Sequence, residues 1–158
     1  MASRKIEDLT LEAQDLYYQF KNKMDDAKIN FIVTCTAREV KEQVALYAQG
    51  RQPLDEVNTL RKIAKLPPIT DKDNKNKVTN TLKSKHLIDL DDDIIENNKS
   101  RAFDIAIVKD SKPVWDLKVD VNGNEIPDYK EAGKIGESIG LKWGGSWKNF
   151  KDYPHFEV

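Results

Sequence analysis

Histidine is scarce in this chain of 158 residues: there are two, His86 and His155, and a single cysteine, Cys35. One cysteine excludes a disulfide within the chain, and its apolar surroundings make Cys35 a buried thiol, not a nucleophile. No apolar segment follows the basic start of the chain, and no run of about 18 apolar residues occurs, so neither signal peptide nor membrane span is expected. An excess of either charge is lacking too. The 26 basic and 27 acidic residues leave a formal charge of −1 and a pI near 6.2, which gives no overall attraction for nucleic acid or an anionic membrane. Repeats and low-complexity segments are absent, and the length suits one domain with one core, residues 1–158.

What is present is a mixture of helical and strand periodicities. Leu9, Ala13, Leu16, Tyr17, Phe20, Met24 and Ala27 recur at helical spacing, which predicts an amphipathic helix over residues 10–27. The β-branched stretch 29–36 predicts a strand that leads into Arg38. Residues 39–49 predict a second helix with Val40, Val44, Tyr47 and Ala48 inward and Gly50 as its left-handed cap. A third helix is expected over 54–66, with Leu54, Val57, Leu60, Ile63 and Ala64 inward, closed by Pro67-Pro68. Residues 102–108 and 114–119, joined by a turn at 109–113, predict a hairpin. Pro127 opens a helix running to Ile139, with Gly140 past its end. Trp143-Gly144-Gly145-Ser146-Trp147 reads as a tight loop, Trp115 as a core residue, and 156–158 as a short strand. Helices against an antiparallel sheet make an α+β domain.

Each histidine has carboxylates near it in sequence: His155 follows Asp152 by three positions, and His86 precedes Asp104, which lies inside the apolar run 102–108. Two neutral imidazoles and one carboxylate compose a three-donor zinc set that leaves a fourth position for water. The same spacings equally describe imidazoles hydrogen-bonded to acids at the surface. Composition does not decide between the two.

Motifs in the right order decide it. Thr34-Cys35-Thr36-Ala37-Arg38, Gln43, Leu46-Tyr47-Ala48-Gln49-Gly50-Arg51, Ser84-Lys85-His86, Ser100-Arg101-Ala102-Phe103-Asp104, Trp143-Gly144-Gly145-Ser146-Trp147 and Asp152-Tyr153-Pro154-His155-Phe156-Glu157 resemble the successive motifs of the D-Ala-D-Ala carboxypeptidase/L-alanyl-D-glutamate peptidase family of zinc metallopeptidases. The resemblance implies a hedgehog/D-Ala-D-Ala-peptidase-like fold, zinc held by His86, Asp104 and His155, and Asp152 as catalytic carboxylate. It implies Arg38 as a cation for the developing oxyanion or a substrate carboxylate. Ser84, Gln43 and Trp143 are implied in substrate binding, Ser84 also in orienting His86, while Trp143 and Trp147 suit either a groove wall or the core. His86 and Asp104 are eighteen positions apart, farther than is usual for the family, and Ser100 stands where it has glycine. The intact motif at Asp104 favours a looped-out segment at 89–99 that leaves both anchors in place.

Among the family's activities, the motifs resemble most the phage and bacterial endopeptidases that cut the L-alanyl-D-glutamate bond of the peptidoglycan stem. D-alanyl-D-alanine carboxypeptidase and a non-catalytic zinc-bearing binding module are the alternatives. An endolysin-like role implies a monomer made in the host bacterial cytoplasm, without its own cell-wall-binding domain, that reaches the wall after a separate pore-forming protein opens the inner membrane.

Calcium is the other ion to consider. Asp120, Asn122, Asn124, Asp128 and Glu131 fall at positions 1, 3, 5, 9 and 12 of a calcium-loop pattern. Glu125 stands where that pattern has glycine, which argues against it. The acidic stretch 89–96 is a second candidate, without ordered spacing. A solvated acidic loop is the expectation at both.

Overall fold

The computed structural model describes residues 1–88 and 98–158. The stretch 89–96 considered for calcium thus lies outside the described residues. The elements are α1 (Leu11–Asp26), β1 (Phe31–Cys35), α2 (Val40–Ala48), α3 (Leu54–Ile63), β2 (Ala102–Lys109), β3 (Lys112–Val114), α4 (Asp128–Ser138), β4 (Lys142–Trp143) and β5 (His155–Glu157). The strands form one antiparallel sheet in the order β1-β2-β5-β4, with β3 also paired to β2. Helices on this sheet make the α+β domain that the periodicities predict.

β2 is the axis of the sheet. Asp104 is the register partner of Cys35 on β1 and of His155 on β5, so three chemically active residues lie in one row across three strands. Because side chains alternate along a strand, Phe103, Ile105 and Ile107 point the other way, into the core. There they meet Ala13, Tyr17, Phe20 and Met24 of α1, spaced at the helical repeat, and Tyr129 and Ala132 of α4. The Phe20 and Phe156 rings are 4.8 Å apart, and Phe103 stacks on Phe156 at 5.5 Å. One face of β2 therefore builds the core, and the other carries the chemistry. Thr10 caps α1 by accepting the Ala13 N–H at 3.3 Å.

Four expectations need correction. α2 buries Glu42, Gln43, Ala45 and Ala48 and leaves Val40 and Val44 exposed. Its polar face is satisfied by tertiary partners: Glu42 accepts the Ala2 N–H, and Gln43 bonds Arg38, Thr79 and Thr81. α3 ends at Ile63, which is 60% exposed, while Arg61 is buried and donates from Nε to the Pro67 carbonyl at 2.7 Å. The second hairpin strand is Lys112–Val114, within the expected turn, and not 114–119; beyond it Asp116 accepts the Lys118 N–H at 2.9 Å and turns the chain out of the ladder. Trp115, beyond that strand end, is 56% exposed and is not a core residue.

Candidate metal centre

Three separate pieces of backbone deliver the donors. Asp104 is held by its register on β2, and His155 opens β5, the next strand in the sheet. His86 lies in a turn laid alongside the chain leaving β1: its carbonyl accepts the Arg38 N–H at 2.8 Å, and Arg38 bridges Leu87 in parallel. The Ser84 hydroxyl accepts the His86 N–H at 3.3 Å. His86 and Asp104 thus come together across an eighteen-residue separation.

The hydrogen bonds define the imidazole tautomers. His86 Nδ1 is 2.7 Å from the Thr36 carbonyl oxygen. A carbonyl only accepts, so Nδ1 carries the hydrogen and Nε2 of the neutral ring keeps its lone pair. His155 Nε2 is 2.9 Å from the Glu157 carboxylate, which by the same reasoning leaves the lone pair on Nδ1. Those two nitrogens and Asp104 Oδ1 lie 3.1, 2.9 and 3.2 Å from one another. Three lone-pair-bearing atoms converge, in a place where His86 is only 2% exposed. Such an arrangement demands a positive charge.

A proton or a metal ion meets that demand. Burial by itself would lower the His86 pKa, but the Asp104 charge and hydrogen bond outweigh it and push it up to about 10. Burial would raise Asp104; the two imidazoles overcome this and hold it well below the usual carboxylate range. A metal ion suits the same space. Tetrahedral zinc ligands at about 2.0–2.2 Å from the ion stand roughly 3.3–3.6 Å apart, so the three donors need to part by only a few tenths of an ångström. The outward hydrogen bonds to Thr36 and Glu157 are those that orient metal-binding imidazoles. The residues present therefore fit zinc.

Among the described residues, two groups of side chains already lie close enough to share an ion: Asp104, Asp152 and His155, and Cys35, His86 and Asp104. In the second, Cys35 Sγ is 3.5 Å from His86 Nδ1, the nitrogen already donating to Thr36. Cys35 is thus a neighbour behind the ring, and Arg38 Nη2 also donates to its sulfur at 3.5 Å.

A cleft of about 260 Å³ opens over the donors and is lined by Arg38, Ser84, Asp152 and Trp147, with residues 78–81 and Asn149 and Phe150 as its walls. Burial and the Asp104 charge raise the Asp152 pKa, against opposing pulls from His155, His86 and Arg38. Gly144 makes the Asp152 position possible: a Cβ there would stand 2.3 Å from the Asp152 carbonyl oxygen. The Gly144 carbonyl accepts the Asp152 N–H at 3.0 Å.

Two of the expected substrate contacts are placed elsewhere. Gln43 is buried behind the cleft wall, where it accepts from Arg38 Nη1 at 2.8 Å and donates to the Thr81 carbonyl at 2.6 Å. It positions Arg38 and does not line the cleft. Trp143 is a core residue, donating from Nε1 to the Tyr153 carbonyl at 2.8 Å. The cleft tryptophan is Trp147, whose ring lies 5.0 Å from that of His155. Glu157 carries a signal legible in the sequence: it stands two residues from His155 on a strand and so shares its face. Phe150, with φ of +48° and a partly exposed ring at the cleft, had none.

An α+β sheet presenting an open His/Asp/His centre beside a further carboxylate defines a metallopeptidase-like class of protein. The family model described as D-alanyl-D-alanine carboxypeptidase matches residues 96–158. Over 131 residues the chain is 33% identical to the peptidoglycan L-alanyl-D-glutamate endopeptidase CwlK of Bacillus subtilis (strain 168). That match takes in 82% of this chain and 61% of CwlK, so the chain spans about three-fifths of the relative's length. The crystal structure of the Serratia marcescens L-Ala D-Glu endopeptidase ChiX superposes with a TM-score of 0.56 over 100% of this chain and 88% of that one, at 14% identity; the fold is shared. The chain is thus similar to members of the D-Ala-D-Ala carboxypeptidase/L-alanyl-D-glutamate peptidase family.

Proposed function

We propose that this protein is a zinc-dependent peptidoglycan endopeptidase that hydrolyses the L-alanyl-D-glutamate bond of the stem peptide. The observation that carries the proposal is the convergence of His86 Nε2, His155 Nδ1 and Asp104 Oδ1 in a cleft shared with Asp152 and Arg38. The activity in the names of CwlK and ChiX supports the choice of bond.

His86, Asp104 and His155 would hold the zinc. When bound there, zinc supplies a Lewis acid that polarises the scissile carbonyl and eases deprotonation of water. Asp152 accepts the proton from the attacking water and returns it to the leaving amine, a role helped by its raised pKa. Arg38, held by Gln43 and Cys35, offers a fixed cation to the negative oxygen that develops at the carbonyl. Trp147 and Phe150 provide an apolar wall of the groove.

Digestion of purified peptidoglycan by the zinc-loaded protein, followed by mass spectrometry of the new termini, tests this reading. Fragments ending in L-Ala and beginning with D-Glu are expected. Free D-Ala as the sole product would overturn it in favour of a carboxypeptidase, and an intact polymer would leave a binding module. The endolysin role belongs to the same proposal: the protein is made in a host bacterium and meets the wall once a separate pore-forming protein opens the inner membrane. Cytoplasmic expression is then expected to leave cells intact until the inner membrane is permeabilised.

A further inference from the structure

Away from the residues that line the cleft, the segment between β3 and α4 closes on itself. The Asp120 carboxylate accepts the N–H groups of Gly123, Asn124 and Glu125 at 2.9, 3.2 and 2.9 Å. The side-chain amides of Asn122 and Asn124 both reach Glu131 Oε2, at 3.2 and 2.8 Å. Glu125 has φ of +67°, so the position where a calcium loop uses glycine takes the left-handed conformation with another residue. These contacts alone describe a self-bonded turn.

Asp128 asks for more. It is 0% exposed; its Oδ2 accepts the Val121 N–H at 2.7 Å, inside the ring, while its Oδ1 is buried with no hydrogen-bond partner among the described residues. A buried carboxylate oxygen without a donor is costly. Here its neighbours aggravate the cost: burial, Asp120 and Glu131 all push the Asp128 carboxyl up. No basic side chain pairs with any of these three acids among the described residues. The three carboxylates do not yet stand close enough together to share an ion, but a cation that drew the loop closed would satisfy the orphaned oxygen and neutralise all three.

We propose that residues 120–131 form a calcium-binding loop, with donors from Asp120, Asn122, Asn124, the Ile126 carbonyl, Asp128 and Glu131. All six donors are oxygens once the two amides rotate their carbonyl oxygens inward, the set a hard cation requires. Calcium suits it better than magnesium, because a twelve-residue ring ending in a carboxylate adapts to 6–8 oxygens, whereas magnesium demands a tight octahedron. The ion would tie the loop to the first turn of α4. Gly133 and Gly136 of that helix lie directly under the Trp143 and Phe156 rings, so calcium braces the helix that supports β4 and β5. Nothing in this depends on the peptidase reading.

The test is calorimetric titration of calcium chloride into calcium-free, zinc-loaded protein, with thermal unfolding in parallel. One calcium ion per chain is expected, with a Kd roughly between 10⁻⁵ and 10⁻³ M. The melting temperature should rise by about 2 °C or more at about 10 mM calcium. Asp128→Asn and Glu131→Gln should each weaken binding at least about tenfold while unfolding cooperatively without calcium, which separates lost ligation from lost fold. Absence of both heat and melting shift in the wild type at about 10 mM calcium would overturn the proposal. So would undiminished affinity in both variants, which would put the ion elsewhere.

Discussion

Glu157 accepts the Nε2–H of His155 at 2.9 Å from two positions further along the same strand, and so turns the other ring nitrogen toward Asp104. Its carboxyl is held low, first by that hydrogen bond, which outweighs the effect of its partial burial. Glu157→Gln is expected to weaken zinc affinity about 10- to 100-fold, because the ring loses both its fixed tautomer and its added basicity. Competition against a chromogenic chelator measures this, and unchanged affinity would remove Glu157 from the centre.

Zinc removal should abolish hydrolysis, and zinc alone should restore it. Replacing His86, Asp104 or His155 by alanine leaves two of three donors and is expected to empty the site at micromolar zinc. Metal analysis of the purified variants, alongside turnover of a rigorously metal-free preparation, checks both statements. Full activity without metal would end the zinc reading.

Asp152→Ala should retain zinc and lose about two to four orders of magnitude in turnover, since its proposed role is proton transfer. A variant with near-normal turnover, or one that has lost its metal, would show the assignment to be wrong.

The metal-free protein should have its own pH signature. His86 is raised from 6.5 to about 10, so its protonated form contributes stability that is complete below pH 6.5 and is lost as pH rises toward 10. Asp104 is lowered from 3.8, so its contribution is present above that value and is lost on further acidification. In chelator, this pair therefore stabilises most between pH 3.8 and 6.5. Zinc affinity should move the opposite way above that window, because zinc must displace the His86 proton. Thermal melts across pH, with and without zinc, should show the two trends crossing.

Gly144→Ala is expected to cost about 1–3 kcal/mol, since the new methyl meets a backbone oxygen and not a yielding side chain. Urea denaturation measures the loss. If the Asp152 turn moves instead, turnover will fall more than stability does.

Several features were legible because their causes are local. The apolar spacing of Ala13, Tyr17, Phe20 and Met24 predicts both α1 and its buried face. The alternation through Phe103, Ile105 and Ile107 predicts β2, and Gly50 past the end of α2 has the left-handed φ of +78° expected of a cap. The carboxylate in an apolar strand, Asp104, and the two rare histidines were conspicuous as chemistry.

The sequence by itself determined the helix and strand periodicities, the scarcity of metal donors and the order of the family's motifs. Only the tertiary structure decided what touches what. Local preferences reach about four residues along a helix or two along a strand, whereas His86 and His155 meet across 69 positions. That meeting depends on the row Cys35, Asp104 and His155, which is a product of strand register. The same limit explains why the sequence did not tell Trp143 from Trp147, which stand four positions apart with equal hydrophobicity. Gly133 leaves room for the Trp143 ring beneath the sheet edge, and the turn through Gly144 carries Trp147 to the cleft. Rotation of α2 toward Gln43 was likewise hidden, because the partners that reward burying an amide, Arg38 and the 79–81 wall, assemble only in the fold.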